Sequence, residues 1–156
     1  MRVGITGHQS LPDAALEFAT ARVNELLDVW LEPHGLTALA AGSDQLFARC
    51  LLSRGCNYDL IVPSVDYRGS FQDPDSLRCY DELAAQADGI TELPYPENSE
   101  AAFLCAGLII AERSDIMVAI WDGEPARGLG GTADVVSYCR KIGRALEVVW
   151  PPGVKR

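Results

Sequence analysis

The residues with the clearest chemical potential lie in the stretch 114–134, SDIMVAIWDGEPARGLGGTAD. The run 116–121 is apolar without interruption, which predicts a short strand buried on both faces. Residues 122–129 form a loop rich in Gly and Pro, and apolar residues recur at helical spacing after residue 131. A helix N-terminus is therefore expected to point back towards the end of a buried strand.

Gly130, Gly131 and Thr132 open that helix and are suited to binding an anion. The first turn of a helix has unpaired N–H groups and the positive end of the helix dipole, and glycine lets a ligand approach the backbone closely. Thr132 can cap the helix or donate its hydroxyl to a phosphate, and Asp134 lies within the first turn. The same residues also fit an ordinary loop that ends in an N-cap, with Asp134 compensating the helix dipole.

The composition limits the classes of protein that this chain can represent. A length of 156 residues with 48% hydrophobic residues predicts one globular domain, residues 1–156. The net charge of −9 argues against general electrostatic binding to DNA, RNA or an anionic membrane, although a local phosphate site is compatible with it. No apolar run is long enough to span a membrane.

The five cysteines indicate reduced thiols rather than a disulfide framework, because their number is odd and no pair has CxxC spacing. Together with the absence of a signal peptide pattern, this usage predicts a cytoplasmic location. His8 and His34 have no neighbouring cysteine or carboxylate cluster, so we expect no metal site. The first predicted strand leads into GITGHQ rather than GxGxxG, and we expect no nicotinamide or other cofactor.

Strand and helix patterns alternate along the whole chain. Apolar runs predict strands at residues 2–6, 36–40, 58–62, 89–93, 116–121 and 145–150. Helical spacing predicts helices at residues 12–31, 44–54, 74–87, 100–113 and 132–141. Because the strands do not alternate apolar and polar residues, the expected fold class is α/β, a Rossmann-like doubly wound and mainly parallel sheet with helices on both faces. The helix at 100–113 is apolar on most sides and should be well buried.

In such a sheet, ligands bind at the carboxyl ends of the strands. Four turns rich in small or polar residues should meet there, at residues 7–10, 41–44, 63–71 and 122–134. His8, in the first turn, could hydrogen-bond a ligand or carry a proton, or could lie half-exposed in its loop. Asp44 could bind a ribose hydroxyl or cap the second helix, and Ser43 beside it is a further candidate for ligand binding.

The two later turns carry further candidates. Asp122 could bind ribose or brace its loop by accepting from its own backbone N–H groups. Arg68 could clamp a phosphate while Tyr67 or Phe71 stacks on a base, or it could be a solvated loop arginine. Arg127 allows the same two interpretations inside the glycine loop.

Three turns, GITGHQ (residues 4–9), AAGSDQ (residues 40–45) and GLGGTAD (residues 128–134), each follow a predicted strand. In type and order they resemble the SLOG superfamily of Rossmann-like nucleotide-ligand proteins. That superfamily includes the LOG-type phosphoribohydrolases, long labelled lysine decarboxylase-like, as well as molybdenum cofactor carrier proteins and DNA-processing proteins. The resemblance covers nearly the whole chain.

The resemblance implies a ligand built on a nucleotide, with its phosphate on the turn formed by Gly130, Gly131 and Thr132. Gly7, Gly42 and Asp44 would line the rest of the crevice.

Asp134 falls where LOG-type enzymes place a catalytic glutamate, two residues after the threonine. Those enzymes hydrolyse the N-glycosidic bond of a nucleoside 5′-monophosphate. This chain departs from them in two ways: Asp134 is shorter than glutamate, and the arginine expected on the preceding helix is absent, since residues 103–107 are FLCAG. The departures favour nucleotide binding without hydrolysis.

The order WDG…GGTAD, from Trp121 to Asp134, is also similar to nucleoside 2-deoxyribosyltransferases, in which a carboxylate at the helix start attacks the sugar. We therefore predict a protein that binds a nucleotide or nucleotide-derived small molecule. The alternative is an N-glycosidic hydrolase or transferase with Asp134 as its catalytic residue. A DNA-processing module is a third hypothesis, which the acidic charge opposes. The apolar helix at 100–113 would also suit a homo-oligomer.

Overall fold

Strands and helices alternate throughout the computed structural model, which describes residues 1–126 and 131–156. The strands are β1 Arg2–Gly7, β2 His34–Thr37, β3 Tyr58–Val62, β4 Gly89–Glu92, β5 Ile116–Ile120 and β6 Ala145–Val149. The helices are α1 Asp13–Val29, α2 Ser43–Ser53, α3 Pro74–Ala84, α4 Glu100–Arg113 and α5 Thr132–Ile142, and a short 3-10 helix spans Tyr67–Ser70. Each predicted strand and helix is present, although some ends differ.

The strands form one sheet in the order β4-β3-β2-β1-β5-β6, and every neighbouring pair that the structure describes is parallel. Successive strands run outward from β1 to β4 on one side, and β5 and β6 continue on the other side of β1. The strand order therefore reverses between β1 and β5, which makes the carboxyl ends of these two strands the topological switch point. This arrangement confirms the predicted α/β, Rossmann-like fold.

Two apolar layers cover the sheet. Helices α1, α2 and α3 pack with Val3, Ile5 and Val118 on one face, whereas α4 and α5 pack with Leu36 and Met117 on the other. Successive residues of β5 point to opposite faces, and both faces are covered, so each position needs an apolar side chain. The uninterrupted apolar runs that predicted the strands have this origin.

The end of β2 differs from the prediction. The sequence predicts a strand at residues 36–40, but the chain leaves the sheet after Thr37, and Leu39 has a positive φ of 54°. The backbone N–H groups of Ala38 and Ala40 donate to the carboxylate of Asp44 instead of to a neighbouring strand. A buried side chain downstream therefore ends the strand, and a local apolar pattern does not show this.

Helix α4 is less buried than its composition predicts. Ala102, Ala106, Ile110 and Ala111 are buried, but the remaining apolar residues between positions 103 and 109 are only partly covered. A helix that is apolar on most sides here packs one face on the sheet and leaves another half-exposed. None of the described helices combines the length and the apolar character needed to cross a membrane.

Candidate functional site

A cleft of about 790 Å³ opens at the carboxyl edge of the sheet, at the switch point between β1 and β5. Its walls come from the turn after β1, the β2–α2 turn, the 3-10 segment, one side of α4 and the first turn of α5. The four predicted turns therefore meet at one site. Among the candidate ligand-binding residues, Gly7, His8, Asp44, Gly131 and Thr132 line the cleft.

Gly7, Gly42 and Ser43 hold the first two turns together. A Cβ on Gly7 would lie 2.4 Å from the Ser43 side chain and 2.9 Å from the Ile120 carbonyl oxygen, so only glycine allows this approach. Gly42 has a φ of 77°, and a Cβ there would lie 2.3 Å from the Gln9 carbonyl oxygen. The Ser43 hydroxyl donates to the His8 carbonyl oxygen at 2.7 Å. Within the described residues, Gly42 and Ser43 support the cleft and do not line it.

Asp44 lies at the floor of the cleft and is 6% exposed. Its Oδ2 atom accepts from the Thr37 hydroxyl and the Ala38 N–H, both at 3.1 Å, and from the Ala40 N–H at 3.4 Å. Burial raises the pKa of Asp44 to about 6, although these hydrogen bonds favour the ionised form. The carboxylate therefore braces the β2–α2 turn upstream of its own helix, a role that neither sequence-based interpretation described.

His8 and Asp122 form a buried pair where β1 and β5 end. His8 Nε2 lies 2.9 Å from Asp122 Oδ1, and the two side chains are 6% and 5% exposed. Asp122 Oδ1 also accepts from the Glu124 N–H at 3.1 Å, which is the loop-bracing bond that the sequence predicts. The edge of the His8 ring faces Trp150 at 5.4 Å between centroids. His8 is thus buried rather than half-exposed.

Arg156 completes this group, and the sequence analysis missed it. Its Nη1 donates to His8 Nδ1 at 2.9 Å, and its Nε lies 3.4 Å from Asp122 Oδ2. His8 Nε2 faces both the Asp122 carboxylate, at 2.9 Å, and the Asp122 backbone N–H, which donates to it at 3.2 Å. Burial opposes ionisation of Asp122, but the Glu124 N–H, His8 and Arg156 together hold the pKa of Asp122 below its ordinary value. Arg156 lines both the main cleft and a smaller adjoining cavity of about 470 Å³.

The first turn of α5 borders the opposite side of the cleft. Helix α5 begins at Thr132, and Gly131, Thr132, Ala133 and Val135 line the cleft. Asp134 is in that turn but is not among the lining residues, and its N–H donates to the Gly131 carbonyl oxygen at 3.0 Å. Gly130 and Arg127, which the sequence analysis also selected, lie outside the described residues.

Arg68 lies away from the cleft. Its Nε and Nη2 atoms donate to the two carboxylate oxygens of Asp81 at 2.9 and 2.8 Å, and the pair is exposed. The aromatic residues predicted beside it do reach the cleft. Tyr67 and Phe71 line it together with Phe103 from α4, and the Tyr67 ring lies 5.3 Å from Phe71 and 6.2 Å from Phe103 between centroids.

Structural comparison finds the same fold in several solved proteins of low sequence identity. DNA processing protein A from Streptococcus pneumoniae matches with a TM-score of 0.71 and 14% identity over 94% of this chain and 49% of that one. The single-stranded DNA-binding DNA processing protein A from Helicobacter pylori matches with a TM-score of 0.65 and 17% identity, over 95% and 64%. A molybdenum cofactor binding protein from Rippkaea orientalis matches with a TM-score of 0.59 and 16% identity, over 94% and 74%.

These neighbours share the α/β, Rossmann-like fold of this chain. The likeness extends over nearly all of this chain, which spans about half of the first neighbour and 64% of the second. No protein-family model matches the sequence, and a sequence comparison with curated proteins finds no match either. The likeness to these proteins thus lies in the fold and not in overall sequence identity.

Proposed function

We propose that this protein binds a nucleotide or a nucleotide-derived ligand in the cleft, with a phosphate on the first turn of α5 at Gly131 and Thr132. The observation that carries the proposal is the position of the cleft. It lies at the switch point between β1 and β5, where sheets of this kind bind ligands, and a helix N-terminus forms one wall. Its volume of about 790 Å³ suits a small molecule.

The charges around the cleft support one orientation of the ligand. The positive end of the α5 dipole and the Arg156 guanidinium attract an anion. The buried carboxylate of Asp44 and the aromatic rings of Tyr67 and Phe71 form another part of the lining, where a phosphate would be repelled. A molecule with a phosphate at one end and a planar, uncharged group at the other fits this asymmetry.

The neighbours support ligand binding by this type of fold, since one binds single-stranded DNA and another a molybdenum cofactor. For this chain, the net charge of −9 favours a small ligand over DNA, because a nucleic-acid surface needs several cations to neutralise phosphates. The geometry also favours binding over bond cleavage. Asp134, the candidate catalytic residue, is absent from the lining whereas its neighbours Ala133 and Val135 are present.

A thermal-shift screen against nucleoside mono-, di- and triphosphates, ADP-ribose and NAD tests the proposal. A ligand present at a hundred times its dissociation constant should stabilise the protein by about 2.7 kcal/mol, a rise of several degrees in Tm. Thr132→Val removes the hydroxyl at the phosphate position and should weaken binding about tenfold. Thr91→Val, on the exposed edge strand β4, is the matched control and should leave affinity unchanged.

Three outcomes would contradict this proposal. One is that no nucleotide shifts Tm, and another is that Thr132→Val and Thr91→Val bind equally well. The third is release of a free base that stops in Asp134→Asn, which would establish the N-glycosidic enzyme instead. Salt-dependent retention of a single-stranded oligonucleotide, without any mononucleotide effect, would favour a DNA-binding module.

A further inference from the structure

Two polar side chains at the floor of the cleft keep an unused hydrogen-bonding atom. The three hydrogen bonds that Asp44 accepts go to Oδ2, and the nearby Leu39 N–H, which also favours the ionised carboxylate, donates to the Thr37 hydroxyl oxygen. The Tyr67 hydroxyl has no hydrogen-bond partner in the part of the chain that the structure describes. Both residues line the cleft and are more than nine-tenths buried, at 6% and 4% exposed.

These two atoms are not sealed inside the protein. Among the described side chains, Arg156 Nε is the one fully buried nitrogen or oxygen atom without a hydrogen bond. Asp44 Oδ1 and Tyr67 Oη must therefore retain accessible surface, and the cleft is the cavity that both residues line. A buried polar atom that finds no protein partner is costly unless water or a ligand satisfies it.

The two atoms differ in hydrogen-bonding character. An ionised carboxylate oxygen only accepts, whereas a phenol hydroxyl can donate. Burial first, and then the negative charge of Asp44, raises the pKa of Tyr67 well above its ordinary value, so the hydroxyl stays protonated. An acceptor and a donor thus line the same cleft.

The surrounding side chains suit a flat ring. Phe71 and Phe103 line the cleft beside Tyr67, and the ring centroids of Tyr67 and Phe71 are 5.3 Å apart. Such aromatic walls bind planar groups by stacking and edge contacts. A nucleobase whose phosphate lies on α5 would place its outer edge in this corner.

We propose that Asp44 Oδ1 and Tyr67 Oη select a base with an amino group next to an unprotonated ring nitrogen, as in adenine and cytosine. The amino group donates to the carboxylate, and the ring nitrogen accepts from the phenol. Hypoxanthine and uracil present the opposite pattern, a carbonyl next to a ring N–H, and each would face two mismatched groups. This inference rests on the proposed nucleotide binding and specifies which base the site accepts.

Calorimetric titration with AMP, IMP, CMP and UMP tests it, at a pH well above about 6 so that Asp44 is ionised. The unmodified protein should bind AMP at least about tenfold more tightly than IMP, and CMP more tightly than UMP by a similar factor. Equal affinities within each pair, or a preference for the carbonyl bases, would overturn the inference while leaving the proposed function intact. Failure of all four to bind would overturn it as well, and the wider screen above then decides the proposed function separately.

Asp44→Asn gives the sharper test, because the two residues have the same shape. The amide oxygen can replace Oδ2 as the acceptor for the β2–α2 turn, and the amide NH₂ then replaces Oδ1 in the cleft. The preference for AMP over IMP should disappear or reverse. A purely structural role for Asp44 would weaken both nucleotides equally and keep their ratio, which would contradict the inference.

Tyr67→Phe provides a second variant in case Asp44→Asn does not fold. It removes a hydroxyl that has no protein partner, so the fold should keep its Tm. AMP and CMP should each lose affinity by about tenfold, since the donor to the ring nitrogen is gone. Unchanged affinity for both would remove Tyr67 from the proposed pair. The matched control is Tyr138→Phe, because the Tyr138 hydroxyl bonds Glu112 outside the cleft and its loss should leave nucleotide affinity unchanged.

Discussion

Two carboxylates lie at the carboxyl edge of the same sheet, and they have different surroundings. Asp44 is 6% exposed and accepts hydrogen bonds from neutral donors, the Thr37 hydroxyl and backbone N–H groups. The Asp122 side chain is 5% exposed and lies against His8 and the Arg156 guanidinium. The pKa of Asp44 rises to about 6 because desolvation dominates there, whereas the pKa of Asp122 falls below its ordinary value.

Desolvation is the largest effect on Asp44, whose donors are neutral, whereas the Glu124 N–H, His8 and Arg156 together outweigh it at Asp122. It also separates two roles. Protein groups contact both oxygens of Asp122, so this residue holds His8, Arg156 and its own loop in place. Asp44 has one oxygen engaged by the turn and the other available in the cleft. We therefore expect Asp122 to determine stability and Asp44 to determine recognition.

Removal of the charge-paired carboxylate should have the largest effect. Asp122→Ala removes the carboxylate that lies against His8 Nε2 and is the counter-ion of the largely buried Arg156 guanidinium. We expect the free energy of unfolding to fall by about 3–4 kcal/mol, measured by urea denaturation. Asp75→Ala, at a carboxylate whose side chain is 84% exposed, is the control and should leave the midpoint unchanged. A loss as small as that of the control would mean that the buried pair contributes nothing.

The second effect is a dependence on pH with a defined sign. The folded-state pKa of Asp44 is above that of the unfolded chain, so its ionisation destabilises the folded state. Relative to Asp44→Asn, the unmodified protein should therefore lose stability as the pH rises from about 4 to about 6, by about 3 kcal/mol for a shift of roughly two pKa units. Asp122→Asn should show the reverse, an advantage of the unmodified protein that is present above pH 4 and is lost in acid. If the stability difference between the unmodified protein and each variant changed with pH in the same direction, the contrast between Asp44 and Asp122 would be wrong.

A smaller effect is expected where the charge is kept and the geometry is lost. Arg156→Lys retains a cation near Asp122, but one ammonium group cannot both donate to His8 Nδ1 and occupy the Nε position. Stability should fall by about 1 kcal/mol, and the nitrogen NMR signals of His8 should shift, since Nδ1 loses its guanidinium partner. Lys155→Arg, at the exposed neighbouring position, should change neither property. An unchanged His8 spectrum in Arg156→Lys would show that the contact between Arg156 and His8 Nδ1 does not determine the state of the ring.

The sequence predicts the strands, the helices and the edge where the turns meet, because buried parallel strands need continuous apolar runs and such sheets bind ligands at one edge. It does not predict which polar side chains stabilise the fold and which are available to a ligand. The contact between His8 and Arg156 joins residues separated by 148 positions, and no motif surrounds Arg156. The sequence also does not show where β2 ends. The Asp44 carboxylate accepts hydrogen bonds from the N–H groups of Ala38 and Ala40, two residues that the apolar pattern assigns to the strand.

The smallest expected effect concerns Arg68, which the sequence selects as a phosphate clamp and the structure places in an exposed ion pair with Asp81. Exposed pairs contribute little, so Arg68→Ala should leave the urea midpoint unchanged and alter the affinity for AMP by less than about twofold. Asp81→Ala releases Arg68 from its partner and completes the test. If the released guanidinium could reach the ligand, Asp81→Ala would tighten binding, and Arg68→Ala would weaken it by tenfold or more. That result would place the 3-10 segment on the phosphate side of the cleft. The division into a stabilising carboxylate, Asp122, and a recognition carboxylate, Asp44, would then no longer describe this edge of the sheet.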